Sequence, residues 1–198
     1  MQFNILLVAA ILSDLALAAY DVKLYKSSGC SGTAGVKCTG LAAGACCARK
    51  SADAKKGTPA PWSLSQSANY VESGSKKANG NDQVKIYTEM GGEACGLPSH
   101  QSATCATGSS KLISGAAVFV VVPTGSGRSS RHSKFRRETE QVTEVVEPSE
   151  YFYEEGNTEY SLPIKSARGM EFENMTSEAD QVEHLSCLGR DLCCWCKW

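Results

Sequence analysis

The sequence predicts an all-β fold: a small disulfide-stabilised sandwich or Greek-key domain with a mostly disordered acidic C-terminal extension. Three observations carry this expectation. Short stretches alternate apolar and polar residues with the period of a half-buried strand, and no long helical period competes with them. The 10 cysteines all follow an apolar N-terminal leader, which reads as the disulfide framework of a chain made in an oxidising compartment. The charges are also segregated along the chain, although their total is only -1.

Residues 1–18 read as a signal peptide. Ile5 to Leu12 is apolar, and Ala16 and Ala18 form an A-x-A cleavage site, so the cut is expected between Ala18 and Ala19. The uninterrupted apolar run is too short to span a bilayer, and Asp14 would be costly at the centre of a span. The other apolar run, Ala116 to Val122, is β-branched and stops at Pro123, as a buried strand would. The expectation is therefore a secreted, extracellular protein, not inserted in a membrane once the signal is removed.

Residues 19–123 form the predicted cysteine-rich β domain. Asp21-Val22-Lys23-Leu24-Tyr25 and Gln83-Val84-Lys85-Ile86-Tyr87 alternate cleanly, and Val118 to Val122 adds a β-branched and aromatic run. The two alternating segments also read as an internal repeat. Val22 to Tyr25 leads to Cys30 and then Cys38-Thr39-Gly40. Val84 to Tyr87 leads to Cys95-Gly96 and then Cys105-Ala106-Thr107-Gly108. If the repeats are self-contained, Cys30–Cys38 and Cys95–Cys105 are equivalent local bridges; otherwise the repeats exchange partners. Cys46 and Cys47 are adjacent and cannot easily bridge each other, so they are expected to tie to two different places. At least one repeat pair must then open, and Cys95–Cys105 is favoured as the local bridge that stays.

Residues 124–137 are a basic, Gly/Ser-rich linker that ends in the dibasic pair Arg136-Arg137. Secretory-pathway proteases of the kexin type recognise such pairs through charge-assisted bonds, and loops of this composition are accessible to them. Residues 19–123 carry eleven Lys/Arg against six Asp/Glu, whereas residues 138–198 carry four against fourteen. Cleavage after Arg137 would separate a basic domain from an acidic pro-segment held partly by charge. Residues 138–186 are expected to be low in order, because Glu138 to Tyr160 has eight glutamates and no lysine or arginine. Tyr151-Phe152-Tyr153 stands out there as a sticky interaction segment. Asn174-Met175-Thr176 is an N-glycosylation sequon at Asn174. Residues 187–198 form a terminal cluster of Cys187, Cys193, Cys194 and Cys196. Its spacing lacks paired zinc knuckles, so bridges are expected over a metal site.

Little in the chain points to catalysis. Of three histidines, His132 lies in the linker and His184 near the terminal cysteines. His100 alone lies in the β domain, beside Ser99, Ser102 and Thr104. No G-x-S-x-G elbow, H-E-x-x-H pair or phosphate loop is present. Glu89 and Glu93 read as solvated loop carboxylates. Trp62, Tyr70 and Tyr87 read as core rather than as a glycan-stacking face. No catalytic, cofactor-binding or metal residues are expected, and no nucleic-acid partner.

Tyr25, followed after six residues by Gly32, resembles the opening of a βγ-crystallin Greek-key motif, in which an aromatic ring packs over a tight glycine turn. The second copy departs from that spacing, with Tyr87 followed by Gly92 and Gly96. No acidic calcium-binding sequence accompanies either turn. The leader, Val-x-Leu-Tyr, the Cys-x-Gly turn and Gly44-Ala45-Cys46-Cys47 are together similar to small secreted cysteine-rich proteins of filamentous fungi. The resemblance spans residues 20–123. It implies a non-enzymatic, effector-like or toxin-like protein that acts as a monomer by binding an extracellular protein or glycan. The other classes open to such a chain are a secreted hydrolase or protease inhibitor and a structural cell-wall protein.

Overall fold

The computed structural model describes residues 19–30, 34–48, 65–73, 82–108, 113–120, 141–175 and 178–187. The strands are β1 (Ala19–Tyr25), β2 (Ala34–Ala42), β3 (Ala45–Ala48), β4 (Ser67–Glu72), β5 (Gln83–Met90), β6 (Glu93–Ser102), β7 (Cys105–Thr107), β8 (Gly115–Phe119), β9 (Glu144–Val146), β10 (Glu150–Glu155) and β11 (Thr158–Pro163). Two short helices follow, α1 (Ala167–Asn174) and α2 (Glu178–Ser186). The all-β class holds. The alternating segments became β1 and β5, Val118 and Phe119 of the β-branched run end β8, and Gly91-Gly92, both at positive φ, close the β5–β6 hairpin.

The strands form two sheets, ordered β11-β10-β2-β1-β4-β7 and β6-β5-β8-β3-β9. Without the additions from the C-terminal half, these are β2-β1-β4-β7 and β6-β5-β8-β3. They are the same arrangement twice. Each four-strand unit keeps its first, second and fourth strands in one sheet and lends its third to the outside of the other. The internal repeat is therefore structural: Val22 to Tyr25 and Val84 to Tyr87 lie in the equivalent strands β1 and β5.

Within the first sheet, facing residues sort into rows. Leu162, Tyr151, Val36, Leu24, Ala68 and Ala106 lie side by side across six strands, and all are buried. With Val84, Ile86, Ala116 and Val118 of the second sheet they form the main core, as expected for a sandwich whose inner faces interdigitate. Phe172 and Leu185, from the helices, join the same cluster. The neighbouring row on the other face runs Ser161, Phe152, Gly35, Tyr25, Ser67 and Thr107. Gly35 leaves space there for the Phe152 ring. A Cβ at Gly35 would overlap the Leu24 carbonyl and lie 2.8 Å from that ring.

The expected low order of the acidic segment does not hold over residues 141–175. There β9 pairs in parallel with β3, and the β10–β11 hairpin extends the first sheet beyond β2. The physical reason lies in the other half of the chain. Lys23 and Lys37 are directly opposite on β1 and β2, an unfavourable cross-strand pair by itself. The glutamates neutralise it. Glutamates that would repel one another in isolation thus find cations, while Tyr151 and Phe152 find a core.

The bridge pattern also corrects an expectation. Cys95–Cys105 and Cys30–Cys38 do not form; the bridges are Cys30–Cys105, Cys38–Cys47 and Cys46–Cys95. Cys105 faces Asn69, which faces Lys23, and Cys46 faces Ala117, which faces Lys85. Cys105 therefore corresponds to Cys46, not to Cys38. Cys30–Cys105 and Cys46–Cys95 are equivalent bridges, each tying one unit to the strand lent by the other. Cys38–Cys47 joins β2 and β3 across the two sheets. Adjacent Cys46 and Cys47 do tie to different places, as the sequence requires.

Candidate functional site

Two surfaces concentrate the polar and apolar chemistry. The first is the charged cluster where the acidic hairpin meets the basic half. The Lys23 ammonium lies 2.6 Å from Glu154 and 2.5 Å from Glu159. The Lys37 ammonium lies 2.9 Å from Glu150 and 2.6 Å from Glu159, and also donates to Ser161 Oγ at 3.1 Å. Both lysines are buried, and Lys23 also lies 5.3 Å from the centre of the Phe152 ring. Tyr25 donates a long hydrogen bond, 3.4 Å, to Glu154 and accepts one from Asn69. Glu159 bridges both lysines and is the centre of the cluster.

Burial by itself would push the Lys23 and Lys37 ammonium groups down. The carboxylates bound to them overcome this, and both are held above the ordinary lysine range. Burial would likewise raise Glu159, yet its two lysine partners hold it below its ordinary value of 4.5. A depressed carboxyl contributes stability above its unfolded value and loses it as pH falls through its folded value. The raised lysines contribute below their ordinary value of 10.5 and lose that contribution as pH rises through their folded values. The cluster is therefore at full strength between those limits. Thermal melts of the protein and of Glu159→Gln should differ most near neutral pH and draw together progressively as pH falls below the ordinary carboxyl value of 4.5. A constant difference down to pH 2 would show that the Glu159 charge is not what stabilises the hairpin.

The second surface belongs to the β5–β6 hairpin. Among the described residues β6 is the outer strand of its sheet, and its Cys95 is bridged to Cys46 of β3. Leu97 to Gln101 are exposed along it, as are Glu89, Met90 and Glu93 at the turn. Met90 is 59% and Leu97 48% exposed, high for large apolar side chains on one hairpin. At its base lies a cleft of about 320 Å³ lined by Lys85, Tyr87, Cys95, Gly96, Pro98, Gln141 and Val142. Lys85 also lies 4.9 Å from the centre of the Phe119 ring.

Other sequence candidates fall into structural roles. Ser102 Oγ accepts from the amides of Thr104 and Cys105 and so holds the β6–β7 turn. His100 is exposed opposite Ile86. Tyr87 is buried in a small cluster with Cys46, Ala117 and Phe119. Tyr70 packs edge-on against Tyr20 at 5.7 Å and donates to the Asp82 carbonyl. Tyr20 donates to the Asp82 carboxylate at 2.8 Å, and burial together with that carboxylate pushes its hydroxyl far up. Tyr70 and Tyr87 thus pack within the fold. Asn174 ends α1, and Cys187 follows α2. Ala19 opens β1. Ala18, Trp62, Arg136, Arg137, Cys193, Cys194 and Cys196 lie outside the described residues, as do Gly32 and Thr176 of the motifs named above.

Sequence reasoning missed Lys23 and Lys37 as a unit. Their signal was present: each is a lysine inside a strand-like stretch beside a cysteine-rich core, in a chain whose negative charge lies elsewhere. Three disulfides are compatible with an extracellular protein, and among the described residues no helix is long and apolar enough to cross a membrane. No family model, no curated protein and no solved structure matches the chain.

Proposed function

We propose that this is a secreted, non-enzymatic binding protein of the effector-like or toxin-like kind, and that its β5–β6 hairpin contacts an extracellular protein. The observation that carries the reading is the pair of exposed apolar side chains, Met90 and Leu97, on a hairpin anchored by the Cys46–Cys95 bridge. A few well-packed side chains carry most of the energy of a typical protein interface. A flexible Met side chain adapts to the surface it meets. The bridge reduces the ordering cost of binding, since the hairpin is already held in place. The two interlocked four-strand units also support a βγ-crystallin-like arrangement for residues 20–123, consistent with the spacing from Tyr25.

The test is a binding screen of the intact protein against extracellular proteins and glycans. Met90→Glu and Leu97→Asp should each weaken capture of a protein ligand about tenfold or more, with melting temperatures unchanged. A hydrolytic activity lost in His100→Ala would overturn the reading, as would a ligand whose binding ignores both apolar substitutions.

A further inference from the structure

The two halves of this chain are joined in two ways, by the backbone between Val120 and Gln141 and by the fold itself. Disulfides do not join them. Cys30, Cys38, Cys46, Cys47, Cys95 and Cys105 pair entirely among themselves, which leaves none for the four cysteines after Pro123. A cut anywhere in the connection would thus leave only non-covalent contacts.

Those contacts are extensive. Tyr151, Leu162, Phe172 and Leu185 are buried in the same cluster as Val22, Leu24 and Ile86 of the first half. Phe152 is fully buried and meets Tyr25 edge-on, with ring centres 5.1 Å apart. Glu150–Tyr153 pair with Ala34–Lys37, and Ala45–Cys47 pair with Glu144–Val146, so the acidic half adds to both sheets. Lys23 and Lys37, both buried, have Glu150, Glu154 and Glu159 as partners. Removing the acidic half would leave two facing lysines without them, and would open the core on the side of β10.

We propose that the acidic half is a permanent strand-donating subunit and not a discarded pro-segment: once the connection is cut, residues 141–187 stay bound and the protein persists as two non-covalently associated chains. The receptor surface is the outer side of β2 and β3 with the Lys23–Lys37 pair. Its partner is an acidic strand whose aromatic residues alternate between the core and the Gly35 gap. Hydrolysis of one peptide bond adds one water and leaves a new carboxylate and a new amine, neither of which takes part in these contacts. This inference is independent of the binding role given to the β5–β6 hairpin.

The test uses the full chain with a sequence-specific protease site inserted after Gly127. After complete cleavage at neutral pH, both pieces should elute together in size-exclusion chromatography at about 1 µM, with native mass giving one of each. Denaturant without reductant should then separate them completely. Two separate peaks at neutral pH would overturn the proposal and restore the acidic half as a releasable segment. Pieces that stay linked in denaturant without reductant would also overturn it, since a covalent bond would then hold them.

Discussion

Replacing Cys30, Cys105, Cys46 and Cys95 together by alanine should lower the unfolding free energy by about 7 kcal/mol. That equals the whole stability of many domains, about 5–15 kcal/mol. The sequence separations are 75 for Cys30–Cys105 and 49 for Cys46–Cys95. The shorter loop is nested inside the longer, so each bridge shortens the loop that the other closes. Removing either one alone should therefore cost about 3 kcal/mol, below the about 4.5 kcal/mol of an isolated loop as long as that of Cys30–Cys105. Denaturant midpoints of the two double-alanine variants and of the fourfold variant measure this directly. A fourfold variant no less stable than either double variant would show that the bridges do not act through loop closure.

Phe152→Ala should destabilise the protein by about 3–5 kcal/mol, the usual range for a buried phenylalanine. Its ring is fully buried, meets Tyr25 edge-on and occupies the space that Gly35 leaves beside β1. The loss should be local at first. Hydrogen exchange of the β10 and β11 amides should rise well before that of β1 or β5, because the disulfides clamp the first half without help from the hairpin. A loss below about 1 kcal/mol, with unchanged exchange in β10, would mean that the hairpin is held by Tyr151 and the lysine cluster alone.

Much of this molecule was legible in the chain before any strand was paired. The two-residue alternation of Val22 to Tyr25 and Val84 to Tyr87 specifies strands, because alternate side chains point to opposite faces. The recurrence of the same residues in the same order marked two copies of one unit. The adjacency of Cys46 and Cys47 demanded two different bridge partners, since two neighbouring residues are poorly placed to bridge each other. These are local properties, and local geometry is enough to read them.

Partner choice was decided only in the folded molecule. Whether Cys105 bonds Cys95 or Cys30 depends on β7 crossing to the sheet of β1, and that crossing is a long-range event with no local signature. The matching exchange of β3 gives Cys46 to Cys95 for the same reason. The acidic segment shows the same division. Counted along the chain, its glutamates repel one another and predict low order. In the fold, Glu150, Glu154 and Glu159 lie within 2.9 Å of two lysines more than a hundred residues away in sequence. Sequence determined which residues could form strands, bridges and ion pairs; the tertiary structure decided which of them meet, because the contacts that settle the matter are distant along the chain and close only in space.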